Sequence, residues 1–254
     1  LREPLGVVAL ITPWNFPWAI PVWKAAPALV AGNCVVLKPA SLTPLMAVKM
    51  IEIFQEAGLP KGVLNLVTGP GGTVGEELAT NATIKAVSFT GSTGIGTSLY
   101  VKAAQSLKKV TCDMGGKNAL IVLDDAYLEL AAEAIVQGSF GSTGQRCTAT
   151  SRVLVAKSVH DKLVEMIVER AKKIVVGNGL KDGIGMGPAV DKSQYETDLN
   201  YIEVAKKDGA KLILGGRALK DGDLARGYFV EPTVFTGVTP SMRIFKEEVF
   251  GPVL

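Results

Sequence analysis

The residues with the clearest chemical potential surround Cys147, in the stretch STGQRCTATSR at positions 142–152. The neighbours of this cysteine are small or polar, with Arg146 directly before it and Gly144 two positions further upstream. A cysteine nucleophile needs thiolate character and room for a substrate, and a nearby glycine lets backbone and ligand approach closely. A lone cysteine is also a common buried structural thiol. The local sequence leaves both interpretations open.

A second candidate is Asn15, in ITPWNFPWAIP at positions 11–21, where two prolines flank an aromatic–Asn–aromatic core. One interpretation is a turn asparagine beside core aromatics. The other is a side-chain amide presented in a rigid, dry pocket, where it could stabilise a developing oxyanion.

The glycine-rich stretch FTGSTGIG at positions 89–96 follows an apolar run and precedes a helical pattern. Gly91 and Ser92 could bring backbone amides and a helix N-terminus up to a phosphate. The stretch lacks the GxGxxG spacing of the standard dinucleotide fingerprint, so a turn eased by glycine is an equally good interpretation.

Asp113 lies in VTCDMGGKN, between a predicted strand and two glycines. It could be a cap or turn residue, or a general base whose pKa is raised by burial. Cys34 and Cys112 have apolar, strand-like surroundings and are expected in the core. His160 is expected at the surface near the start of a helix.

Short β-branched runs alternate with helical patterns in the first half of the chain, which predicts βαβ units and a parallel sheet. Thr43 and Pro44 are typical of a helix start, and Gly58 followed by Pro60 of its end. The predicted strands are GVVALITP, CVVLKPA, VLNLVTG and AVSFTGS, and the predicted buried helix face is Ala47, Met50, Ile51 and Phe54.

The second half repeats this alternation with a different texture. Strands are predicted at NALIVLDD, RVLVAKS and AKLILGG, and glycine-rich loops at positions 181–191 and 219–235. A helix is predicted over HDKLVEMIVERAKKIVVG at positions 160–177, with a buried face of Val164, Ile167, Val168 and Ala171. The two glycines after Met114 predict a domain boundary, giving domains 1–113 and 114–254.

Length and composition narrow the class of protein. With 254 residues and 48% hydrophobic residues, the chain can bury one large core or two modest ones. The net charge of +3 is spread along the chain, with no basic run that contains interleaved aromatics, so no nucleic-acid partner is expected. No apolar stretch is long enough for a bilayer, so no membrane association is expected. Three scattered cysteines give neither a disulfide framework nor a metal site, and predict a reducing, cytoplasmic compartment.

Six motifs, in one order along the whole chain, carry a family resemblance: PWNFP, KPAS, FTGSTGIG, DMGGKN, GQRC and EEVFGPV. Together they resemble the aldehyde dehydrogenase superfamily. The resemblance implies an α/β fold, with a Rossmann-like nicotinamide-binding domain followed by an α/β catalytic domain. It also implies that both domains are incomplete at the chain ends, since the chain resembles an internal piece of a longer homodimeric or homotetrameric enzyme.

The resemblance assigns catalytic roles by motif. Cys147 would attack an aldehyde carbonyl to form a thiohemiacetal, and hydride transfer to the nicotinamide would leave a thioacyl-enzyme. Asn15 and the Cys147 backbone amide would hold the oxyanion. Lys24 would assist proton relay, and the Asp113 carboxylate would activate the hydrolytic water.

The resemblance also assigns contacts with NAD or NADP. The residues concerned are Trp14; Lys38 and Ser41 at the adenosine ribose; Gly71 and Gly75 near the adenine; Gly91 and Ser92 at the pyrophosphate; the Met114 backbone at the nicotinamide amide; Glu248 at the nicotinamide ribose; and Phe250 against the ring. Family members that prefer NAD often have glutamate at the place of Ser41. Because serine lacks that negative charge, a 2′-phosphate beside Lys38 becomes tolerable, and we expect NADP to be accepted alongside NAD.

One departure and one substrate question accompany the resemblance. The family usually has glutamate at the place of Asp113, so the carboxylate here is one methylene shorter. Natural drift with compensation, slow deacylation and an engineered change would each explain it. The stretches around Asn15 and Cys147 look most like dehydrogenases of α-ketoglutaric semialdehyde (2,5-dioxovalerate), followed by those of succinic semialdehyde. Arg146 could attract a substrate carboxylate or point away from it.

Two further functions fit part of the pattern. A CoA-acylating relative would use CoA in place of water, and such enzymes tend to lack the carboxylate base. A non-catalytic cofactor-binding protein would keep the fold without the reaction. The motifs around Cys147 and Asn15 favour the hydrolytic dehydrogenase over both.

Overall fold

The computed structural model describes residues 3–254, which form two units. The first unit ends at Gly115, and the second is Gly116–Leu254. The division lies between the two glycines that follow Met114, two residues after the boundary expected from the sequence.

The first unit alternates strands and helices from its start. Its elements are β1 (Val7–Ile11), α1 (Ala19–Val30), β2 (Cys34–Lys38), α2 (Pro44–Glu56), β3 (Leu64–Leu66), a helical turn (Gly71–Gly75), α3 (Glu76–Thr80), β4 (Ile84–Gly91), α4 (Thr93–Ala104) and β5 (Lys109–Met114).

All five strands of the first unit lie in one parallel sheet with the order β3-β2-β1-β4-β5. The strand order reverses direction at β1, which pairs with β2 on one side and with β4 on the other. Ligands of open α/β sheets bind at the carboxyl edge near such a reversal. The predicted α/β class with a parallel sheet is confirmed.

The sheet is covered by apolar side chains on both faces. Alternate residues of β1 point to opposite faces, so Val8 and Leu10 join one cluster while Ala9 and Ile11 join the other. The predicted inner face of α2 is confirmed, since its four residues all pack in the cluster of Val8. Pro44 begins this helix after Thr43, as expected.

The second unit contains β6 (Ala119–Val122), α5 (Leu128–Phe140), a turn (Gly141–Gly144), β7 (Arg152–Val155), a turn (Lys157–Val159), α6 (His160–Ala171), α7 (Lys192–Lys207), β8 (Lys211–Leu214), β9 (Ala218–Leu219), a turn (Gly222–Arg226), β10 (Phe229–Val230), β11 (Val234–Thr236) and α8 (Arg243–Lys246). The strands pair two by two: β6 with β7 in parallel, and β8 with β11 and β9 with β10 antiparallel.

Two predictions for the second unit need correction. The region 219–235 is not a plain loop, because β10 lies within it and β11 begins there. Strands of two or three residues are too short to show an alternating pattern. The buried face of α6 is also rotated from the predicted one. Leu163 and Met166 are buried beside Ile167 and Ala171, whereas Val164 and Val168 are only half-buried.

Five of the described helices have no counterpart among the predictions from sequence: α1, α3, α5, α7 and α8. Helix α7 is largely polar, and its clearest signal is the cap residue Asp191, whose carboxylate accepts a hydrogen bond from the Gln194 amide at 2.9 Å. None of the helices that the structure describes is both long and apolar enough to cross a membrane.

Candidate functional site

The carboxyl edge of the parallel sheet gathers nearly all the predicted site residues of the first unit. The residues at or just beyond the strand ends are Trp14 and Asn15 after β1, Lys38 and Ser41 at β2, Gly71 and Gly75 after β3, Gly91 and Ser92 at β4, and Asp113 and Met114 at β5. Lys24 is the exception, because it lies on α1. Parallel strands place their carboxyl ends at one edge, so residues distant in sequence become neighbours there.

A cleft of about 300 Å³ lies between the Gly71–Gly75 turn and the start of α4. Gly71, Gly75 and Gly94 line it together with apolar carbons, and Lys102 lies at its side. Ser92 is the N-cap of α4, but its side chain makes no cap hydrogen bond within the described chain. The first amides of α4 therefore remain available to an anionic group, as helix N-termini generally are.

The glycines of FTGSTGIG serve two different needs. A Cβ at Gly91 would lie 2.6 Å from the Phe89 ring, and one at Gly96 would lie 2.5 Å from the Met114 sulfur. Gly96 therefore allows α4 to pack closely on β4 and β5, whereas Gly91 leaves room for the Phe89 ring of its own strand. Gly94 differs, since a Cβ there would meet no atom of residues 3–254 within 4 Å. Close packing and access to the cleft therefore both account for the motif.

Lys38 and Ser41 flank the end of β2 in different environments. Lys38 is buried, and its Nζ donates to the Pro39 carbonyl at 3.0 Å. Burial lowers the pKa of this ammonium group. Ser41 is exposed, and its hydroxyl donates to the Gly69 carbonyl at 3.2 Å. The pair thus combines a desolvated cation with a small neutral donor.

A polar cluster occupies one face of β4 and β5, around Lys24. The Lys24 Nζ donates to the Ser88 hydroxyl at 2.8 Å, and Thr111, directly across from Ser88, donates to the same oxygen at 3.1 Å. The next pair in register is Thr90 and Asp113, whose hydroxyl and carboxylate are 3.3 Å apart. Sequence reasoning missed the three hydroxyls, although polar residues at every second position of VSFTG indicate such a face.

The environment of Lys24 combines burial with a nearby carboxylate. Burial lowers the pKa of the Lys24 ammonium group, while the Asp113 carboxylate and, to a smaller extent, the Cys112 thiol raise it. Cys112 is half-buried, and burial raises the pKa of its thiol. The Asp113 carboxylate therefore lies close enough to Lys24 to favour its charged form.

Cys147 follows a backbone turn of unusual geometry. Ser142 and Thr143 have φ angles of 53° and 61°, and Gly144 has 67°, so three successive residues are left-handed. Such backbone is favourable for glycine and strained for the other two residues. Cys147 is half-buried three residues later. We call residues 142–147 the cysteine loop.

Side chains of the cysteine loop tie it to neighbouring segments. The Thr143 hydroxyl donates to the Gly187 carbonyl at 3.1 Å. Gln145 accepts from the Val190 amide at 2.8 Å and donates to the Pro188 carbonyl at 3.3 Å. The segment 187–190 therefore holds two side chains of the loop.

Arg146 is directed towards the end of α5. Its Nη2 donates to the carbonyls of Gln137 and Gly138 at 2.9 and 3.2 Å. Cations stabilise helix C-termini by such contacts. Of the two orientations open from sequence, the structure supports a structural role for this guanidinium group over attraction of a substrate carboxylate.

Asn118 holds the backbone after Cys147. Its side-chain amide donates to the carbonyls of Cys147 and Ala149 at 2.6 and 3.0 Å. Its own carbonyl accepts from the amides of Ser151 and Arg152, both at 3.1 Å. This asparagine belongs to the DMGGKN motif, in which the sequence alone assigned it no role. It fixes both the nucleophile candidate and the start of β7.

Glu248 lies in a charged group of the second unit. Its carboxylate accepts from the Gly116 amide at 3.3 Å. Burial raises the pKa of Glu248, while the Gly116 hydrogen bond and the Lys117 charge lower it. Burial, reinforced by Arg152, lowers the pKa of Lys117 to about 8, and Glu248 opposes this. Phe250, two residues later, has a left-handed φ of 62°.

The remaining candidates have ordinary surroundings. Cys34 is half-buried in β2, and His160 begins α6 beside Asp161, 2.7 Å away. Within residues 3–254, no group of three histidine, cysteine or acidic side chains could hold a metal ion.

The pKa of Lys117 provides a test of this charged group. Its amine should become reactive towards dilute acetic anhydride with a midpoint near pH 8, where less than about 1% of an ordinary lysine is uncharged. Glu248→Gln removes a charge that favours the ammonium form, so the midpoint should move to lower pH. Peptide mass spectrometry across pH 6–11, with N-acetyl-lysine as reference, measures both. A midpoint near 10 in the wild type would contradict this picture.

The chain is similar in sequence to proteins of known function. The aldehyde dehydrogenase family model matches residues 1–254. A 2,5-dioxopentanoate dehydrogenase of Saccharolobus solfataricus is 54% identical, and an alpha-ketoglutaric semialdehyde dehydrogenase of Bacillus subtilis is 51% identical. Each alignment covers 100% of this chain and 52% of the relative, so the chain spans about half the length of these relatives.

A solved structure is similar to the chain in both fold and sequence. The betaine aldehyde dehydrogenase of Staphylococcus aureus, crystallised in complex with NAD+, matches with a TM-score of 0.97 and 42% identity. The match covers 99% of this chain and 50% of that one. The chain, with its parallel sheet, glycine-lined cleft and anchored cysteine loop, belongs to the aldehyde dehydrogenase family.

Proposed function

We propose that the protein carrying this chain oxidises an aldehyde, specifically a carboxylated semialdehyde, to its carboxylic acid with NAD or NADP. The observation that carries the proposal is Cys147, held by Asn118 after a rigid left-handed turn, in a family whose compared members are named dehydrogenases. The semialdehyde class is supported by the two relatives at 54% and 51% identity.

The cofactor site proposed for the first unit fits a dinucleotide on structural grounds. The cleft near the adenine positions Gly71 and Gly75 is open, and the α4 N-terminus can accept a phosphate beside Gly91 and Ser92. Lys38 and Ser41 would bind the adenosine ribose, with Trp14 and the Met114 backbone also in contact. From the second unit, Glu248 and Phe250 would contact the nicotinamide ribose and ring. When bound, the nicotinamide supplies the hydride acceptor.

The proposed catalytic roles are those that the family resemblance implies for these side chains. The Cys147 thiolate forms a bond to the aldehyde carbon, and the carbonyl electron pair moves to oxygen. Asn15 and the Cys147 amide stabilise this oxyanion. After oxidation, Asp113 accepts a proton from water as the water oxygen attacks the thioester, and Cys147 leaves as thiolate. Lys24, hydrogen-bonded to Ser88, would pass the proton onward.

The domain roles and setting are part of the proposal. Residues 1–113 would belong to the cofactor-binding domain and residues 114–254 to the catalytic domain. The small number of scattered cysteines, a poor disulfide framework, supports a reducing, cytoplasmic setting. A homodimer or homotetramer is proposed for the intact protein.

The first test is a panel of aldehydes with NAD and NADP, using the intact protein. Cys147→Ser should lower kcat by at least about 1,000-fold, because an alcohol is a far weaker nucleophile than a thiolate. Cys34→Ser is the matched control. The wild type should prefer α-ketoglutaric and succinic semialdehydes to propanal.

Two outcomes would contradict the proposal. Equal activity on propanal would remove the carboxylated substrate class. An acyl-CoA product that forms only when CoA is present would replace hydrolysis with CoA acylation, the alternative that the short Asp113 side chain brings to mind.

The second test concerns Asp113. Because glutamate reaches about one bond length further, Asp113→Glu should speed acyl-enzyme hydrolysis, and a displacement near 1 Å is worth up to about 100-fold. Single-turnover kinetics with a chromogenic acyl donor measure this step directly. Asp124→Glu, at an exposed position, is the control. If hydrolysis does not accelerate, Asp113 is not a compromised base.

The third test concerns Ser41. Ser41→Glu places a carboxylate at the proposed 2′ position, where repulsion of a phosphate amounts to about 1 kcal/mol or more at 4 Å. The KM for NADP should rise by roughly tenfold while that for NAD changes little. Ser106→Glu, at an exposed position, controls for added charge. A wild-type protein that does not turn over NADP at all would refute the role of Ser41.

A further inference from the structure

Asp198, on α7, is a carboxyl group buried without a cation. It is 0% exposed, and among the described residues no lysine, arginine or histidine forms an ion pair with it. Its Oδ1 accepts a hydrogen bond from the Gln194 side chain at 2.7 Å, whereas its Oδ2 has no hydrogen-bond partner within residues 3–254. Burial raises the pKa of this carboxyl to about 7, although the Gln194 hydrogen bond lowers it.

The carboxyl group of Asp198 lies directly against Gly251. A Cβ at Gly251 would be 2.0 Å from the Asp198 Oδ1, and the next two nearest atoms belong to the same carboxyl group. Gln194 adds a second contact, because its Nε2 also donates to the Val249 carbonyl at 3.0 Å. Helix α7 therefore holds the segment 249–251 at two points.

Gly251 in turn contacts the cysteine loop. A Cβ at Gly144 would lie 2.2 Å from the Gly251 carbonyl oxygen. The Asp198 carboxyl group thus packs against the Gly251 backbone, which packs in turn against the Gly144 backbone. Glu248 and Phe250 lie within three residues of Gly251, and Cys147 lies three residues after Gly144.

We propose that Asp198 is a positioning residue, whose carboxyl group sets the place of the segment 248–251 and, through Gly251, of the cysteine loop. The proposal rests on the proposed function, in which Glu248 and Phe250 contact the cofactor and Cys147 attacks the substrate. A carboxyl group costs more free energy to bury than an apolar side chain of similar volume. Its place behind Gly251 therefore indicates a geometric role rather than a packing role.

Single substitutions separate positioning from stability. Asp198→Leu removes the acceptor and changes the shape behind Gly251, so the KM for the nicotinamide nucleotide should rise and kcat/KM should fall by roughly 10- to 100-fold. Asp198→Asn keeps the shape and the acceptor for Gln194, and should recover most of this loss. Glu196→Gln, the same acid-to-amide change at an exposed position of α7, is the matched control.

A double-mutant cycle tests the contact itself. Gly251→Ala forces a side chain into the space of the carboxyl group and should impair the enzyme. Its backbone φ is not left-handed, so the clash with Asp198 is the expected cause. Adding Asp198→Ala reopens that space, so the double variant should be more active than Gly251→Ala alone. The rate of Cys147 alkylation by iodoacetamide, followed by peptide mass spectrometry, should change and recover in the same order.

Each result has a defined meaning. If Asp198→Leu lowers kcat and thermal stability but leaves the nucleotide KM and the Cys147 alkylation rate unchanged, Asp198 is only a stability residue and the proposal is overturned. Multiplicative losses in the Asp198→Ala and Gly251→Ala cycle would also overturn it. Failure of the proposed function is distinguishable, because the wild type itself would then show no nucleotide-dependent oxidation of aldehydes.

Discussion

The left-handed turn at residues 142–144 is the constraint on which the second unit's site depends. Left-handed backbone costs roughly 1 kcal/mol or more for each residue other than glycine, so Ser142 and Thr143 need support from their surroundings. The Thr143 and Gln145 hydrogen bonds to the segment 187–190 provide it. Gly144 cannot be larger, because the Gly251 carbonyl occupies the space of a Cβ. The left-handed turn fixes the backbone before Cys147, and the hydrogen bonds of Asn118 fix the backbone after it.

In the first unit, residues that follow five separate strands must come together at the carboxyl edge of one sheet. The parallel register does this without further constraint, because each strand end carries one piece of the proposed site. The same register creates the Lys24 cluster. It sets Ser88 across from Thr111 and Thr90 across from Asp113, so a lysine reaching one hydroxyl pair comes close to the carboxylate at the next.

Sequence reasoning was most successful where a local pattern determines the structure. The alternation of β-branched runs with helical patterns and the Pro44 helix start predicted the first unit's architecture, and six ordered motifs predicted the family. It failed where the signal is tertiary. The two- and three-residue strands β10 and β11 have no period to detect. Asn118 and Arg146 are ordinary polar residues in sequence, and their roles exist only because particular carbonyls fold back towards them. The lowered pKa of Lys117 also has a tertiary origin, because it depends mainly on burial and then on the charges of Arg152 and Glu248.

The short carboxylate at position 113 acquires a physical context from the strand face. Its oxygen lies 3.3 Å from the Thr90 hydroxyl, on the exposed face of β5, and its charge raises the pKa of Lys24. In the proposed reaction, the carboxylate at 113 has two partners: the water that it would activate and the Lys24 ammonium group whose pKa it raises. Glutamate would carry the carboxylate about one bond length further from the strand than aspartate does. The length of the side chain at 113 would therefore set how close the carboxylate comes to the water, while its place beside Thr90 brings it near Lys24.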